Sequence, residues 1–222
     1  MAPNLKTRTF RGESINVNYN IRRCIHAEEC VSRLGEVFDI NKRPWIQPEQ
    51  ASPEQIADTI SHCPTGALHY QRLDGGPIEE VPVGNTIRLQ EDGPVYVSGN
   101  LVVHNAEGEQ VYADTRLALC RCGETENKPF CDNAHFKINF KASGTAVTPQ
   151  IGEPDKEAGD KLVITPTVNG SVHIEGNFEL RASDGDLIYH GSDTWLCRCG
   201  GSENKPFCDG THRRNGFQAE SW

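Results

Sequence analysis

No run of apolar residues in this chain approaches the ~20 that a membrane-spanning helix needs, so a helical membrane protein is not expected. The opening residues, Met1-Ala2-Pro3-Asn4-Leu5-Lys6, carry no apolar stretch able to act as a secretion signal. A cytoplasmic protein with reduced thiols is therefore expected, in which cysteines bind metal rather than pair as disulfides. Positive charge is in deficit, with 22 Lys+Arg against 31 Asp+Glu and a formal net charge of −9. No segment is strongly basic, which argues against nucleic acid and anionic membrane as partners; an acidic surface would suit a basic redox partner. Hydrophobic residues make up only 36% of the chain, while Gly numbers 21 and Pro 13, a balance that favours short elements and many turns over a large helical core. A nucleophile–base arrangement, a phosphate loop and a flavin motif are all missing, so enzyme activity is not expected.

What is present is a cysteine-rich string that occurs twice. The first copy places Cys120, Cys122, Cys131 and His135 in the pattern C-x-C-x8-C-x3-H, and the second places Cys197, Cys199, Cys208 and His212 at identical spacing. Each copy is a complete four-ligand set, and the two copies use six of the nine cysteines. The offset between them, 197 − 120 = 77, holds upstream without a gap. It pairs Ile87 with Ile164, Gly93 with Gly170, Gly99 with Gly176, Asn100 with Asn177, Gly108 with Gly185 and Tyr112 with Tyr189, and downstream Phe140 with Phe217. Whole domains are thus duplicated, giving units at 81–140 and 161–222 joined by a linker at 141–160.

Each unit has a β-type pattern. Pro94–Gly99 and Ser171–Gly176 alternate, Asp92-Gly93 and Asn169-Gly170 signal hairpin turns, and Glu107-Gly108 and Asp184-Gly185 signal a second turn. About three short strands are expected to feed each cysteine-rich loop. The linker, rich in Gly, Pro, Thr, Asp and Glu without periodicity, reads as a surface segment. Residues 1–80 form a separate small α+β domain: a strand over Ser14–Tyr19, a helix starting near Ala27, a helix over Pro53–Cys63 with Ile56 and Ile60 on one face, and a strand over Ala67–Tyr70.

Three thiolates and an imidazole can hold zinc tetrahedrally or one [2Fe–2S] cluster. In an extended segment the sulfurs of Cys-x-Cys point to the same side, so both can reach one metal. Asp132 and Asp209 read as N-caps of a short helix that brings each His onto the face of the preceding Cys. Arg121, Arg198, Lys128 and Lys205 recur beside the ligands, where they could offset the charge of a cluster, but solvated surface charge is the commoner explanation and the one expected here.

The string C-x-C-x2-[S/T]-x3-P-x-C-D-G-[S/T/A]-H is that of the CDGSH iron–sulfur domain family, which includes mitoNEET, and this chain resembles a tandem member. Thr125 and Ser202 fill the [S/T] position, Pro129 and Pro206 the proline; the first copy departs at Asn133-Ala134, where Asn can still adopt the left-handed conformation of Gly. The resemblance implies one [2Fe–2S] cluster per unit held by three Cys and one solvent-accessible His. It also implies a β-cap made by an intramolecular pseudo-dimer, hence a monomer with internal pseudo-two-fold symmetry.

In the first domain, Cys24, Cys30 and Cys63-Pro64 resemble a divergent mono-cluster ferredoxin in which Ala27 stands where the middle thiolate would be and His26 lies beside the gap. Three thiolates suit a [3Fe–4S] cluster, a [4Fe–4S] cluster would need an outside ligand, and a domain that has lost its cluster would keep the cysteines as small buried hydrophobes. The expected function is proton-coupled electron transfer to a redox partner protein, the neutral imidazole raising the potential. The alternative is a cluster donor to an apo-acceptor, or a redox or pH sensor.

Overall fold

Alternation of small apolar and polar residues, broken every ten or so positions by a left-handed turn residue, produces a β-rich molecule with few and short helices. The structure is a computed structural model and describes residues 6–146, 148–155 and 157–220. The first five residues, over which no secretion signal is read, lie outside the described residues. The chain forms two compact units that divide between Val81 and Pro82.

In the N-terminal unit, strands β1 (Thr7–Phe10), β2 (Ile15–Asn20) and β3 (Leu68–Arg72) make an antiparallel sheet in the order β1-β2-β3. Helix α1 (Glu29–Arg33) and helix α2 (Pro53–Ser61) accompany it. Helix α2 begins with a complete capping box: Gln55 N–H donates to Ser52 Oγ (3.3 Å) and Ser52 N–H to Gln55 Oε1 (3.1 Å). Its Ile56 and Ile60 are fully buried among Val17, Val37, Phe38, Ile46 and Leu68. Trp45 is ringed by Phe10, Tyr19 and Phe38, with centroids 6.3, 4.9 and 6.2 Å away. The expected strands and helices are all present; β1, too short to show a period, is the element that the pattern does not announce.

The second unit repeats a three-strand motif. The first copy comprises β4 (Thr86–Leu89), β5 (Val95–His104) and β6 (Gln110–Leu119), followed by helix α3 (Ala134–Lys137). After a two-residue strand β7 (Gln150–Ile151), the second copy comprises β8 (Lys161–Pro166), β9 (Val172–Arg181) and β10 (Leu187–Leu196). A single 3-10 turn at Thr211–Arg213 takes the place of α3 in the second copy. Each long strand pairs along one edge with the next strand of its own copy, β5 with β6 and β9 with β10.

The other edge of each long strand is shared. β5 pairs antiparallel with its own β4 over Val95–Ser98, then parallel with β8 of the other copy over Asn100–Val103. β9 does the same, pairing antiparallel with its own β8 over Val172–Glu175 and then parallel with β4 of the other copy over Glu179–Arg181. The change of partner falls at Gly99 (φ 145°) and Gly176 (φ 106°), where a Cβ would stand 2.1 Å from Asn85 Oδ1 and 2.2 Å from the Lys161 carbonyl. Only glycine satisfies both the backbone and the space. The buried Asn85 ties the junction, donating to the Asp160 and Asn177 carbonyls (3.0 and 2.9 Å) and accepting from Asn100 N–H (3.0 Å). Strands from both copies consequently fill one core: Ile87, Leu89, Val97, Val103 and Leu117 pack with Leu162, Ile164, Ile174, Phe178 and Leu180.

Two sequence expectations need correction. The segment 141–160 is not a plain surface linker. Ala142 and Ser143 offer their carbonyls to Arg121, Gly144 accepts from Ser183 N–H (2.7 Å), and β7 pairs parallel with β10. Nor is the helical reading of both His-bearing turns general, since the second is a 3-10 turn without an α-helical hydrogen-bond ladder.

Candidate metal centres

Each cysteine-rich loop leaves the end of a strand and is sewn back onto it. Cys120 N–H donates to the Pro129 carbonyl (2.8 Å) and Cys131 N–H to the Ala118 carbonyl (2.9 Å). Cys197 with Pro206 and Cys208 with Trp195 repeat this at 2.8 Å each. The peptide bonds before Pro129 and Pro206 are cis. The hydroxyls of Thr125 and Ser202 close the loop from inside: each donates to the carbonyl of Phe130 or Phe207 (2.8 Å) and accepts from the amide of Asn127 or Asn204 (3.0 Å). The first and third thiols of each set are thus carried on one hydrogen-bonded frame.

Asp132 and Asp209 hold the next turn. Asp132 accepts from Glu126 and Ala134 amides (2.9 and 3.0 Å), Asp209 from Glu203 and Thr211 amides (2.9 and 3.0 Å). The capping residue itself lies one position later than the sequence suggests, at Asn133 (φ 70°) and Gly210 (φ 81°), both left-handed. Asn133 therefore does take the conformation that Gly has in the second copy.

The candidate ligand atoms come in pairs. Cys120 Sγ lies 3.6 Å from Cys122 Sγ, and Cys131 Sγ lies 3.5 Å from His135 Nδ1. In the second set the distances are 3.8 Å (Cys197–Cys199) and 3.4 Å (Cys208–His212 Nδ1). Two bonds of about 2.3 Å to sulfur, or one such bond and one of about 2.0–2.1 Å to nitrogen, meeting at a tetrahedral angle, give separations of about 3.8 and 3.6 Å. Each pair thus has the spacing of two ligands on one metal. Among the described residues, however, no three of the four ligand atoms in either set lie within 4.8 Å of one another. The one group that does, His173, Glu175 and Asp193, lies outside both sets, on β9 and β10.

The electrostatics follow from burial and amide donation. Gly123 N–H points at Cys120 Sγ (3.3 Å), and Asn133 and Gly210 N–H point at Cys131 and Cys208 Sγ (3.4 Å each). The hydrogen bond from its partner Cys122, with the amides of Thr125 and Gly123, draws Cys120 down, and Cys122 in turn is pushed up by the same pairing and by burial. Burial pushes Cys131 up to about 12 and Cys197 to about 11, and lowers His135 and His212. A metal would bind the imidazoles in their neutral form and displace the protons that burial holds on Cys131 and Cys197.

The arginines overturn the reading of solvated charge. Arg121 and Arg198 are each only 1% exposed. Arg121 donates to the carbonyls of Gly93 (3.0 Å), Ser143 (2.9 Å), Gln90 (2.6 Å) and Ala142 (3.2 Å). Arg198 donates to Gly170 (3.0 Å), Glu220 (3.4 Å) and Thr167. Burial lowers both guanidinium pKa values, Arg198 to about 10. They knit the hairpin turn before β5 or β9 to the segment after each site, a role betrayed in the sequence only by their recurrence between two ligands. Lys128 and Lys205 reach the Thr125 and Ser202 carbonyls.

The two loops also touch each other. A Cβ on Gly123 would stand 2.9 Å from the Cys199 carbonyl, and one on Gly200 would stand 2.4 Å from the Cys122 carbonyl. Both glycines are left-handed, at φ 91° and 74°.

In the N-terminal unit, Cys24, Cys30 and Cys63 are free and line one cavity of about 630 Å3, together with Tyr19, His26, Ala27 and Trp45. The buried Arg23 donates to the Thr65 carbonyl, which joins the Cys24 loop to the Cys63-Pro64 turn. Burial, then the charges of Cys63 and Cys24, push Cys30 up to about 11. The sequence did not point to Tyr19 or Trp45 as walls of this cavity.

Comparison with known proteins agrees with this division of the chain. A family described as divergent 4Fe-4S mono-cluster matches residues 10–73, and one described as iron-binding zinc finger, CDGSH type, matches residues 92–136 and 169–213. Two relatives, both the uncharacterized protein YjdI, from Escherichia coli K12 and O157:H7, are 36% identical over 64 residues, which cover 29% of this chain and 84% of theirs. No solved structure matches the chain. Over residues 10–73 this chain belongs with YjdI to the family described as divergent 4Fe-4S mono-cluster, and behind that domain it carries two iron-binding domains of CDGSH type.

Proposed function

We propose that residues 82–220 hold two [2Fe–2S] clusters, one through Cys120, Cys122, Cys131 and His135 and the other through Cys197, Cys199, Cys208 and His212, and that the protein is a proton-coupled electron carrier rather than an enzyme. The observation that carries this reading is the pairing of ligand atoms at single-metal spacing, 3.4 to 3.8 Å, without a third atom closing on either pair. A mononuclear zinc site would need all four atoms at about 3.6–3.8 Å from one another. The shared edges of β5 and β9 support an intramolecular pseudo-dimer, in which one chain supplies both halves of a β-cap. We extend the proposal to a ferredoxin-like N-terminal unit that holds a third cluster through Cys24, Cys30 and Cys63, and to a cytoplasmic monomer with an acidic surface and a redox protein as partner.

When bound, such a cluster takes up and returns one electron. The rest of the chemistry belongs to the chain. Cysteine thiolates with amide donors fix the charge around each site, and hydrogen bonds to sulfur raise the reduction potential. The imidazole adds no negative charge, which raises it further. With Nδ1 of His135 and His212 turned toward the neighbouring sulfur, Nε2 is left to take or release a proton as the charge of the site changes.

The test is the visible and EPR spectrum of anaerobically purified protein, with iron and sulfide quantitation. Two reduced [2Fe–2S] signals of His-ligated type are expected beside a separate signal from the N-terminal unit. A colourless, zinc-loaded protein would overturn the reading.

A further inference from the structure

Charge is laid out differently on the long hairpins of the two copies. On the face of β9 and β10 turned away from the core, Glu175 stands directly opposite Asp193, and His173 directly opposite Trp195. The same cross-strand positions in the first copy hold Ser98 opposite Arg116 and Tyr96 opposite Ala118. Two carboxylates opposed across a strand pair repel each other. Among the described residues, neither Glu175 nor Asp193 pairs with a lysine or arginine.

Their common neighbour is His173. Its Nδ1 lies 3.3 Å from Glu175 Oε2 and its Nε2 lies 3.0 Å from Asp193 Oδ2. The ring is held in that orientation by stacking on the Trp195 indole, with centroids 4.0 Å apart and planes 6° from parallel. Asp193 is fixed from its backbone: the Tyr189 hydroxyl donates to its carbonyl (2.5 Å) and accepts from its amide (3.2 Å), beside a break in strand register between Gly191 and Asp193. Such a bulge re-aims the side chain that follows it. One ligand atom from each of His173, Glu175 and Asp193 lies within 4.8 Å of the other two. A single ion with bonds of about 2.0–2.2 Å would draw three such atoms to about 3.0–3.4 Å from one another. The side chains of Glu175 and Asp193, 50 and 63% exposed, can make that closure by rotation while the imidazole, 18% exposed, keeps its place.

We infer that the second copy carries a further metal site on this face, in which His173, Glu175 and Asp193 bind a divalent first-row cation through one ring nitrogen and two carboxylate oxygens, with water completing the shell. The set contains no sulfur, so it suits ions such as Mn2+, Co2+ and Zn2+ and not Cu(I). The ion supplies the positive charge that the opposed carboxylates lack. It also clamps β9 to β10 just before Cys197, at the strand end where Cys208 N–H donates to the Trp195 carbonyl (2.8 Å). The first copy has no counterpart, since Ser98 and Arg116 bring no carboxylate. The site shares no residue with either cysteine-rich set, so it stands or falls apart from the clusters. The plain alternative is a salt-bridge triad, a protonated His173 between two acids with no metal.

The experiment titrates Mn2+ into the full-length, cluster-loaded protein after passage over a chelating resin, and follows the six-line EPR signal of the free ion. Thiols bind Mn2+ poorly, so the cysteines do not compete. One equivalent per chain should bind, and Zn2+ should displace it, because the same nitrogen and oxygen donors hold zinc more tightly. His173→Gln and Asp193→Asn should each weaken binding at least about tenfold, which corresponds to about 1.4 kcal/mol. Glu179→Gln, which alters an acid already paired with Arg181 (2.6 Å), should leave it unchanged. Thermal melting separates the metal site from the triad. Mn2+ should raise the melting temperature of the wild type. Glu175→Gln should abolish that rise without lowering the melting temperature of the metal-free protein. No saturable equivalent, an equivalent that survives both His173→Gln and Asp193→Asn, or a metal-free protein that Glu175→Gln destabilises and Mn2+ does not stabilise would overturn the site. Each of these results leaves the cluster assignment intact, since the cluster spectrum is read separately.

Discussion

Replacing Arg121 by Met tests whether a buried cation holds each site together. Methionine keeps the aliphatic stem but removes the donors to four carbonyls, those of Gly93, Gln90, Ala142 and Ser143. Hydrogen bonds from a charged donor contribute about 1.5–3 kcal/mol each, so four represent roughly 6–12 kcal/mol of interaction. Against this stands the penalty of several kcal/mol for burying a guanidinium, which the variant no longer bears. The balance, about 3–5 kcal/mol, is the range seen when one partner of a buried charged group is removed. For a unit of this size each kcal/mol is worth about 4 °C, giving a fall of roughly 12–20 °C in the temperature at which cluster absorbance is lost at a fixed scan rate. The duplicate supplies an internal control. Arg198 makes three such bonds, one of them long at 3.4 Å, so Arg198→Met should cost less. Arg121→Lys should recover little, because a point charge cannot serve carbonyls that diverge around a planar fork. A fall below about 4 °C, or a larger loss from Arg198→Met, would refute the reasoning.

Further outcomes are expected elsewhere in the chain. Gly200→Ala forces a Cβ to 2.4 Å from the Cys122 carbonyl at a left-handed φ, and iron quantitation should show loss from both sites, whereas Gly185→Ala, with open space around it, should retain iron. Ser52→Ala removes the capping box of α2 and should cost about 1 kcal/mol, read as roughly fivefold faster amide exchange at Ile56 and Ile60 with no change in the second unit. His212→Cys should lower the potential of the second centre and slow its loss in acid, measured by redox titration and by absorbance decay; an unmoved potential would count against His ligation. The carboxyl of Asp209 is held below the usual carboxylate range, chiefly by the amide of Glu203 and then by Thr211. A folded pKa below the unfolded value near 3.9 gives stability that is present above that value and fades as pH falls through the folded one. Asp209→Asn should therefore accelerate cluster loss at neutral pH, and the difference from wild type should vanish only in strong acid.

The pairing of Cys with Cys and of Cys with His in each loop, the duplication and the hairpins were legible because they rest on local chemistry: a thiol or imidazole at fixed spacing, an Asp-Gly or Glu-Gly turn, a period of two. The partner change of β5 at Gly99 was not legible as such. The pairing of Gly99 with Gly176 was visible, but the reason for glycine lies in Asn85 and Lys161, which approach from distant parts of the chain. Arg121 and Arg198 were misread for a related cause. An arginine between two ligands looks like surface charge until the carbonyls of the preceding turn and the following segment are seen to converge on it. The burial of His135, at 5% exposed, corrects the expectation of a solvent-accessible His in each unit; it was equally hidden, since Ala134 beside it packs against Phe140 and Ala142, in and next to a segment that composition marks only as linker.

The edge sharing of β5 and β9 bears on how the two copies can change with time. Since β4 completes the strand array of the second copy and β8 that of the first, neither copy can be deleted without stripping the other of a neighbour. A substitution that loosens one copy's strands is therefore felt in both, whereas one confined to a loop, such as Asn133-Ala134 against Gly210-Thr211, leaves the shared strand array intact. The two loops can differ without either one losing the frame on which it stands.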